Sequence, residues 1–359
     1  MDFDFSEEEQ AISGLTRQIL EDKVTHEHLR AMSKGGESFD SNVWQSLAET
    51  GVVGASISEE YGGAGLGFLS VTVVLELVGE FAAPIPVLET LIMGAMPIAH
   101  FGTDEQKTGI LPKVASGECI LTAGLVSGSA VTVIDNKLSG CVDFVPYGLE
   151  SDLVLVPTDD GVYLVETSSE GVSLTARETT SGHSQAAITL KSVASERLGS
   201  ASTEEITSWI RLRTDSGICS ILSGACKASL DLAAGYTKVR QQFDRAIATF
   251  QAVSQRAGDA YIDTEAVRLT SRQAAWRIAA NRPALEQVAI ARWWASEAGF
   301  RVVHAATHLH GGVGVDRDYP LHRYFLMVRQ LELTLGNSEE QLEALGELIA
   351  SDTNEVSKG

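Results

Sequence analysis

The spacing of apolar residues changes period twice along this chain, and that double change restricts the fold more than any other feature. Ser6 followed by Glu9 makes a capping box, and Ile12, Leu15 and Ile19 then recur at helical spacing, which predicts an amphipathic first helix. Val43, Trp44 and Leu47, ending at Gly51, predict another; Phe68 to Phe81 is a long apolar one, and Thr103 with Gln106 opens a capped helix that finishes near Gly117. From Leu121 the pattern shortens. Val142 with Phe144, Leu153 to Val156, Val162 to Val165 and Ala187 to Leu190 are short β-type runs, and Asp159-Asp160-Gly161 is a hairpin turn between two of them.

After Ser200 the helical period returns. Ile218, Ile221, Leu222, Ala225, Leu232, Tyr236 and Val239 predict one face of a long helix, which Gly217, Ser220, Gly224, Ala225 and Ala228 keep slim enough for close packing. Further helices are predicted from about Ala252 to Ala280 and over 285–308 and 338–350. The fold class is therefore α+β, mainly α: an N-terminal helical domain over 1–120, a middle β-domain over 121–200 and a C-terminal bundle of four or more helices over 201–359. A chain of 359 residues has the length for more than one domain.

Charge narrows the partners. The formal net charge is −21, from 48 acidic and 27 basic residues, which repels phosphate backbones and anionic lipid and argues against nucleic-acid or membrane partners. A small anionic ligand needs a local basic pocket. The apolar stretch Phe68 to Ala99 is interrupted by Glu76, Glu80, Glu89, Pro84 and Pro86, so it reads as buried helices rather than a bilayer span. The opening MDFDFSEEEQ lacks the layout of a secretory signal, and the cytoplasm is the expected compartment. The four cysteines form no C-x-x-C pair, and His304 and His308, although four apart, have no third ligand at a recognisable spacing; no metal is expected.

Two segments carry chemistry. Arg240 offers a planar fork suited to a pyrophosphate, Phe243 a ring face for stacking and Gln251 an amide for paired hydrogen bonds, a set that suits a dinucleotide. The plainer alternative is a surface arginine, a core phenylalanine and a polar helix start. Along His308-Leu309-His310-Gly311-Gly312-Val313-Gly314, the paired glycines leave bare backbone that a cofactor can approach, with amide N–H groups for phosphate oxygens; a glycine-rich helix end is the alternative.

Particular words of sequence go further: E-E-Y-G-G-A-G at 59–65, G-T-D-E-Q-K then L-P-K-V-A-S-G-E between 102 and 118, Y-T-K-V-R-Q-Q-F at 236–243, F-Q-A-V at 250–253 and H-L-H-G-G-V-G at 308–314. In this order, along essentially the whole length, the chain resembles the acyl-CoA dehydrogenase family. The resemblance implies FAD, abstraction of an α-proton from an acyl-CoA and passage of the β-hydride to the flavin. It also implies that Arg240, Phe243, Gln251, His308, Gly311 and Gly312 reach across a dimer interface to FAD seated in the neighbouring subunit.

The residues that would hold a flavin ring within the same subunit depart from the family. Where it has T-E-P-x-x-G-S-D, this chain has Leu125-Val126-Ser127-Gly128-Ser129-Ala130; where it has W-I-T or W-I-S, Phe144-Val145-Pro146 stands, and Pro146 has no backbone N–H. The family's usual catalytic acid falls at Leu335, in Thr334-Leu335-Gly336-Asn337, which cannot accept a proton. Some members place the glutamate instead at the position of Thr214. Asp215 is then the remaining candidate base, but one residue out of register turns it about 100° around a helix. From Thr214 to Arg240 a helix would span about 39 Å, so the two ends need not serve one flavin.

The expectation is a subunit of a heteromeric FAD-dependent acyl-CoA dehydrogenase that lacks its own catalytic glutamate and supplies half of its partner's FAD site. The partner is a related chain with the glutamate and the flavin-ring loop, two copies of each in a heterotetramer. The substrate is an acyl-CoA, with bulky or steroid-derived thioesters among those taken by such two-chain enzymes, and an electron-transferring flavoprotein is the implied acceptor. The alternatives are a self-sufficient homomeric dehydrogenase with Asp215 as base, and a non-enzymatic scaffold that keeps only the fold.

Overall fold

The computed structural model describes residues 5–126 and 130–356. Ser127, Gly128 and Ser129, the centre of the altered flavin-ring loop, lie outside the described residues. The helices α1 (Glu7–Lys23), α2 (His26–Gly35), α3 (Ser41–Glu49) and α4 (Gly67–Phe81) come first, then a π-helical segment, Leu88–Ala95, running into α5 (Met96–Phe101), and α6 (Asp104–Ala115). Both expected capping boxes are present: Glu9 N–H donates to Ser6 Oγ at 3.2 Å and Ser6 N–H to the Glu9 carboxylate at 2.9 Å, while Thr103 and Gln106 exchange bonds of 3.0 and 3.3 Å. Gln106 Nε2 also donates to Arg197 O at 2.8 Å, so one side chain both starts α6 and holds a strand.

The middle of the chain forms two four-stranded sheets. In one, β1 (Leu121–Ala123), β4 (Leu153–Pro157), β5 (Val162–Glu166) and β8 (Glu196–Arg197) are neighbours in that order, with β1 parallel to β4 and the other pairs antiparallel. In the other, β2 (Ala130–Ile134), β3 (Lys137–Pro146), β7 (Gln185–Ala194) and β6 (Val172–Ala176) are all antiparallel, in the order β2-β3-β7-β6. Val142 and Val145 of β3, Val154 and Val156 of β4, Tyr163 and Val165 of β5 and Ile188 of β7 share one core, as two stacked sheets require. The expected hairpin joins β4 to β5, closed by Thr158 N–H donating to Gly161 O at 2.8 Å. The sequence reading marks neither β6, whose VSLTA alternates but is short and only half-buried at Val172 and Leu174, nor the two-residue β8.

Next come α7 (Thr203–Val239), a hairpin of β9 (Gln241–Gln242) and β10 (Arg245–Ala246), α8 (Gln251–Ala279), α9 (Leu285–His310), α10 (Leu321–Leu331) and α11 (Ser338–Val356). The chain is mostly helical with a middle β region, as the sequence predicts. It divides into two compact units: residues 5–74 with 84–217, holding both sheets, and residues 75–83 with 218 onward, holding most of the bundle. Within the second, the slim face of α7 is used as expected. A Cβ added at Gly224 would lie 1.8 Å from Glu76 O, and one at Gly79 would lie 1.9 Å from Ile221 O, so the backbones of α4 and α7 touch. Val239 departs from the expected buried face: it is 75% exposed, because the last turn of α7 runs on to carry the segment described next.

Candidate functional site

The α7–α8 connection presents the first set of candidate residues. Arg240 N–H still donates to Tyr236 O at 2.9 Å, after which the chain reverses in the β9–β10 hairpin, and Ile247 N–H returns to Arg240 O at 2.8 Å. The two loop residues, Phe243 and Asp244, have φ of 52° and 60°, the paired positive values of a type I′ turn, whose twist matches that of its strands. That turn throws the Phe243 ring outward, 87% exposed, which rules out a core phenylalanine. Phe250 meets it edge-on with centroids 6.2 Å apart, and the Arg245 guanidinium lies 4.1 Å from the Phe250 ring centre. Gln251, the first residue of α8, and Arg240 are both exposed.

The second set stands at the end of α9. Gly311 ends the helix with φ 61° and ψ −138°, a conformation that favours glycine, and added Cβ atoms at Gly311 or Gly312 would meet nothing within 4 Å. Gly314 differs: a Cβ there would lie 2.6 Å from Thr307 O, so its role is to fold the turn. His310 ties the two sets together. Its ring stacks on Tyr236 of α7 with centroids 4.5 Å apart, and its Nε2 meets Tyr319 Oη at 3.0 Å. Because Ala306 O, 2.8 Å from Nδ1, can only accept, Nδ1 carries the proton and Nε2 accepts from the tyrosine; burial, the larger influence, lowers the pKa of this neutral ring.

His308 faces outward, and its Nδ1 lies 2.5 Å from a guanidinium nitrogen of Arg256, on α8. His304 Nδ1 instead meets Phe300 O at 2.9 Å, so the two histidines at helical spacing are turned to different partners. Among the described residues no group of three or more His, Cys, Asp or Glu side chains is arranged to hold a metal ion. Lys238, Arg240, Arg245 and Arg256 against Asp244 give the segment 236–256 a net charge of about +3. On a chain of net charge −21, this is a local inversion that suits an anion.

The positions that would serve a flavin ring within this chain look different. Leu125 is buried and its carbonyl accepts from Arg211 at 2.6 Å. Phe144 sits in a bulge of β3 with φ 49° and is 47% exposed, while the Asp143 carboxylate beside it accepts from Arg177 Nε at 2.7 Å and Nη2 at 3.2 Å. Pro146 brings no N–H, and its carbonyl accepts from Thr122 Oγ1 at 2.7 Å. Thr214 is 1% exposed with its hydroxyl unpartnered, and Asp215 is half-buried on the same helix.

Leu335 holds φ 61° in the turn after α10. The turn is gripped from inside by Arg292 of α9, a fully buried arginine that donates to Leu331 O at 2.9 Å, Thr334 O at 2.5 Å and Gly336 O at 3.5 Å. Arg256 and Arg292 are not among the residues picked out from sequence. Arg292 leaves a visible signal, a cation inside the apolar run of α9; Arg256 leaves only its membership of the basic segment.

Two family models match the chain: the acyl-CoA dehydrogenase N-terminal domain over residues 6–118 and the acyl-CoA dehydrogenase C-terminal domain over residues 216–350. Acyl-CoA dehydrogenase FadE27 of Mycobacterium tuberculosis is 37% identical over 372 residues, covering 98% of this chain and 99% of that protein. Among solved structures, the ChsE4–ChsE5 complex from Mycobacterium tuberculosis matches with TM-score 0.92 and 36% identity, over 98% of this chain and 99% of the other. The Tcur3481–Tcur3483 steroid ACAD matches with TM-score 0.90 and 36% identity, over 97% and 99%. The fold and these matches define a flavoprotein oxidoreductase. This chain belongs to the acyl-CoA dehydrogenase family, whose members use FAD.

Proposed function

We propose that this chain is one subunit of a heteromeric acyl-CoA dehydrogenase and that it completes the FAD site of a related partner chain without running a site of its own. One contrast carries the reading. Arg240, the outward Phe243 ring, Gln251 and the open Gly311-Gly312 turn stand at the surface, while Pro146 and Leu335 occupy the positions that would serve a flavin ring and an acid. The first set fits a dinucleotide: a guanidinium for the pyrophosphate, a ring face for stacking, an amide for paired bonds and backbone free of side chains. The second does not fit, because it lacks a proton acceptor at Leu335 and a backbone donor at Pro146.

When bound in this complex, FAD would supply the hydride acceptor for the dehydrogenation. Arg240 neutralises phosphate charge, Phe243 covers a cofactor face against water and Gln251 fixes orientation, whereas the carboxylate that takes the α-proton belongs to the partner. Support for a two-chain enzyme comes from the similar ChsE4–ChsE5 and Tcur3481–Tcur3483 structures, each named for two chains. The second is named a steroid enzyme, which supports a bulky, steroid-derived CoA thioester as substrate. As part of the same proposal we take two copies of each chain, an electron-transferring flavoprotein as acceptor, the cytoplasm as compartment and 1–120, 121–200 and 201–359 as the domains.

The test is flavin content with native mass, for the chain alone and with its partner. One flavin per pair of unlike chains, lost on Arg240→Ala, is the expected result; unchanged flavin in Arg240→Ala would sink the shared site. Asp215→Asn is expected to leave the complex active, whereas the homomeric alternative requires it to abolish turnover.

A further inference from the structure

We propose that Arg256 is a positioning residue of the shared cofactor site: it fixes the tautomer and direction of His308, so that His308 Nε2–H donates to an anionic oxygen of the bound dinucleotide. This rests on the half-site reading above and names a residue that the reading does not include.

Hydrogen-bonding capacity carries the argument. An arginine side chain has donors only, so the contact of 2.5 Å between Arg256 and His308 Nδ1 has a single polarity, with Nδ1 as acceptor. A ring that accepts at Nδ1 is neutral and carries its proton on Nε2, which becomes a donor at the opposite edge. His308 is exposed and stands three residues before Gly311, at the helix end where added Cβ atoms meet nothing. The turn therefore offers bare backbone beside an imidazole donor whose direction is set from α8.

The arrangement also explains why a cation and an imidazole are paired on a chain with 48 acidic residues. Pairing Arg256 with a carboxylate would cancel its charge; pairing it with a neutral ring keeps that charge in the basic segment 236–256 while using one of its five donors. Arg256 stands five residues after Gln251, in the first turns of α8, so one helix start supplies both an amide for the ligand and the anchor for the donor on α9.

The experiment measures the FAD dissociation constant of the complex, purified through a tag on this chain with its natural partner, stripped of flavin and titrated with FAD. Arg256→Met is expected to weaken FAD binding by about tenfold, the effect of one charge-assisted contact. Arg256→Lys, which still donates to Nδ1, should return to within about threefold of wild type. In a His308→Asn background, Arg256→Met should cost no more than about twofold further, because its target is gone. Binding within about twofold of wild type in Arg256→Met, alongside loss of flavin in Arg240→Ala, would overturn this inference and leave the half-site reading intact. Full flavin in Arg240→Ala would overturn the reading itself. An equal effect of Arg256→Met with and without His308 would show that the arginine acts alone, and this too would overturn the proposal. If Arg256→Met fails to assemble, Arg256→Leu, which likewise has no donor, is measured under the same criteria.

Discussion

Arg292→Met removes a guanidinium from a site with no exposed surface while keeping an unbranched stem of similar length. Leu331 O and Thr334 O, at 2.9 and 2.5 Å, lose a charged donor, and Gly336 O, at 3.5 Å, loses a marginal one. These oxygens stand at the C-terminal end of α10, where the helix dipole concentrates negative charge and the cation is most useful. Leu331 O, buried, keeps only the Thr334 N–H at 3.2 Å, and Thr334 O is half-buried; losing the charged donor costs about 1.5–3 kcal/mol at each, partly offset because a guanidinium no longer has to be desolvated. The net expectation is about 3 kcal/mol, a fall in Tm of about 6 °C at roughly 2 °C per kcal/mol for a chain of this size. Calorimetry on the purified protein measures it, and limited proteolysis should show new cleavage within 332–337, the turn that Arg292 grips. Arg292→Lys, with fewer donors, should fall between the two. If Arg292→Met melts within about 1 °C of wild type and its turn stays resistant, the turn is not held by this arginine.

Burial, with a smaller contribution from Glu150, pushes the Glu89 carboxyl up to about 7. A carboxyl whose folded pKa lies above its ordinary value of 4.5 favours folding fully only below that value and loses the contribution as pH rises through about 7. The unfolding free energy of wild type from urea titrations should therefore fall relative to Glu89→Gln between those limits, by at most about 3 kcal/mol, and parallel pH profiles would contradict this. Gly224→Ala drives a methyl into Glu76 O and should cost about 3 kcal/mol, seen as a lower Tm; an unchanged Tm would mean that α4 and α7 do not touch. Phe243→Ala, at an exposed position, should leave the melting of the lone chain unchanged within about 1 °C while reducing flavin in the complex, and equal losses in both would mark the ring as structural.

The helices and the main strands were legible because each is written in a local signal: two capping boxes, a hairpin turn at Asp159-Asp160-Gly161 and a row of small residues on α7. What escaped depends on distant partners. β8 is two residues that become a strand only beside β5, and the burial of Arg292 is set by a turn some forty residues later. The candidate site was legible as residue types but not as geometry. Nothing local to Phe243 says that its ring faces outward; that follows from a type I′ turn whose loop residues, Phe and Asp, lack the usual glycine. Val239 shows the opposite error, an apolar periodicity that outlasts its packing.

The β9–β10 turn has a consequence for the life of the chain before assembly. Phe243, Val239 and Val315, at 87%, 75% and 70% exposure, are apolar groups that a newly made copy displays to the cell until something covers them. Surfaces of that kind are what chaperones and proteases sort by. On the half-site reading an orphan subunit is therefore short-lived, and production of the two chains has to be matched in time and amount. Cell biology would then enforce the stoichiometry of the enzyme before any flavin is bound.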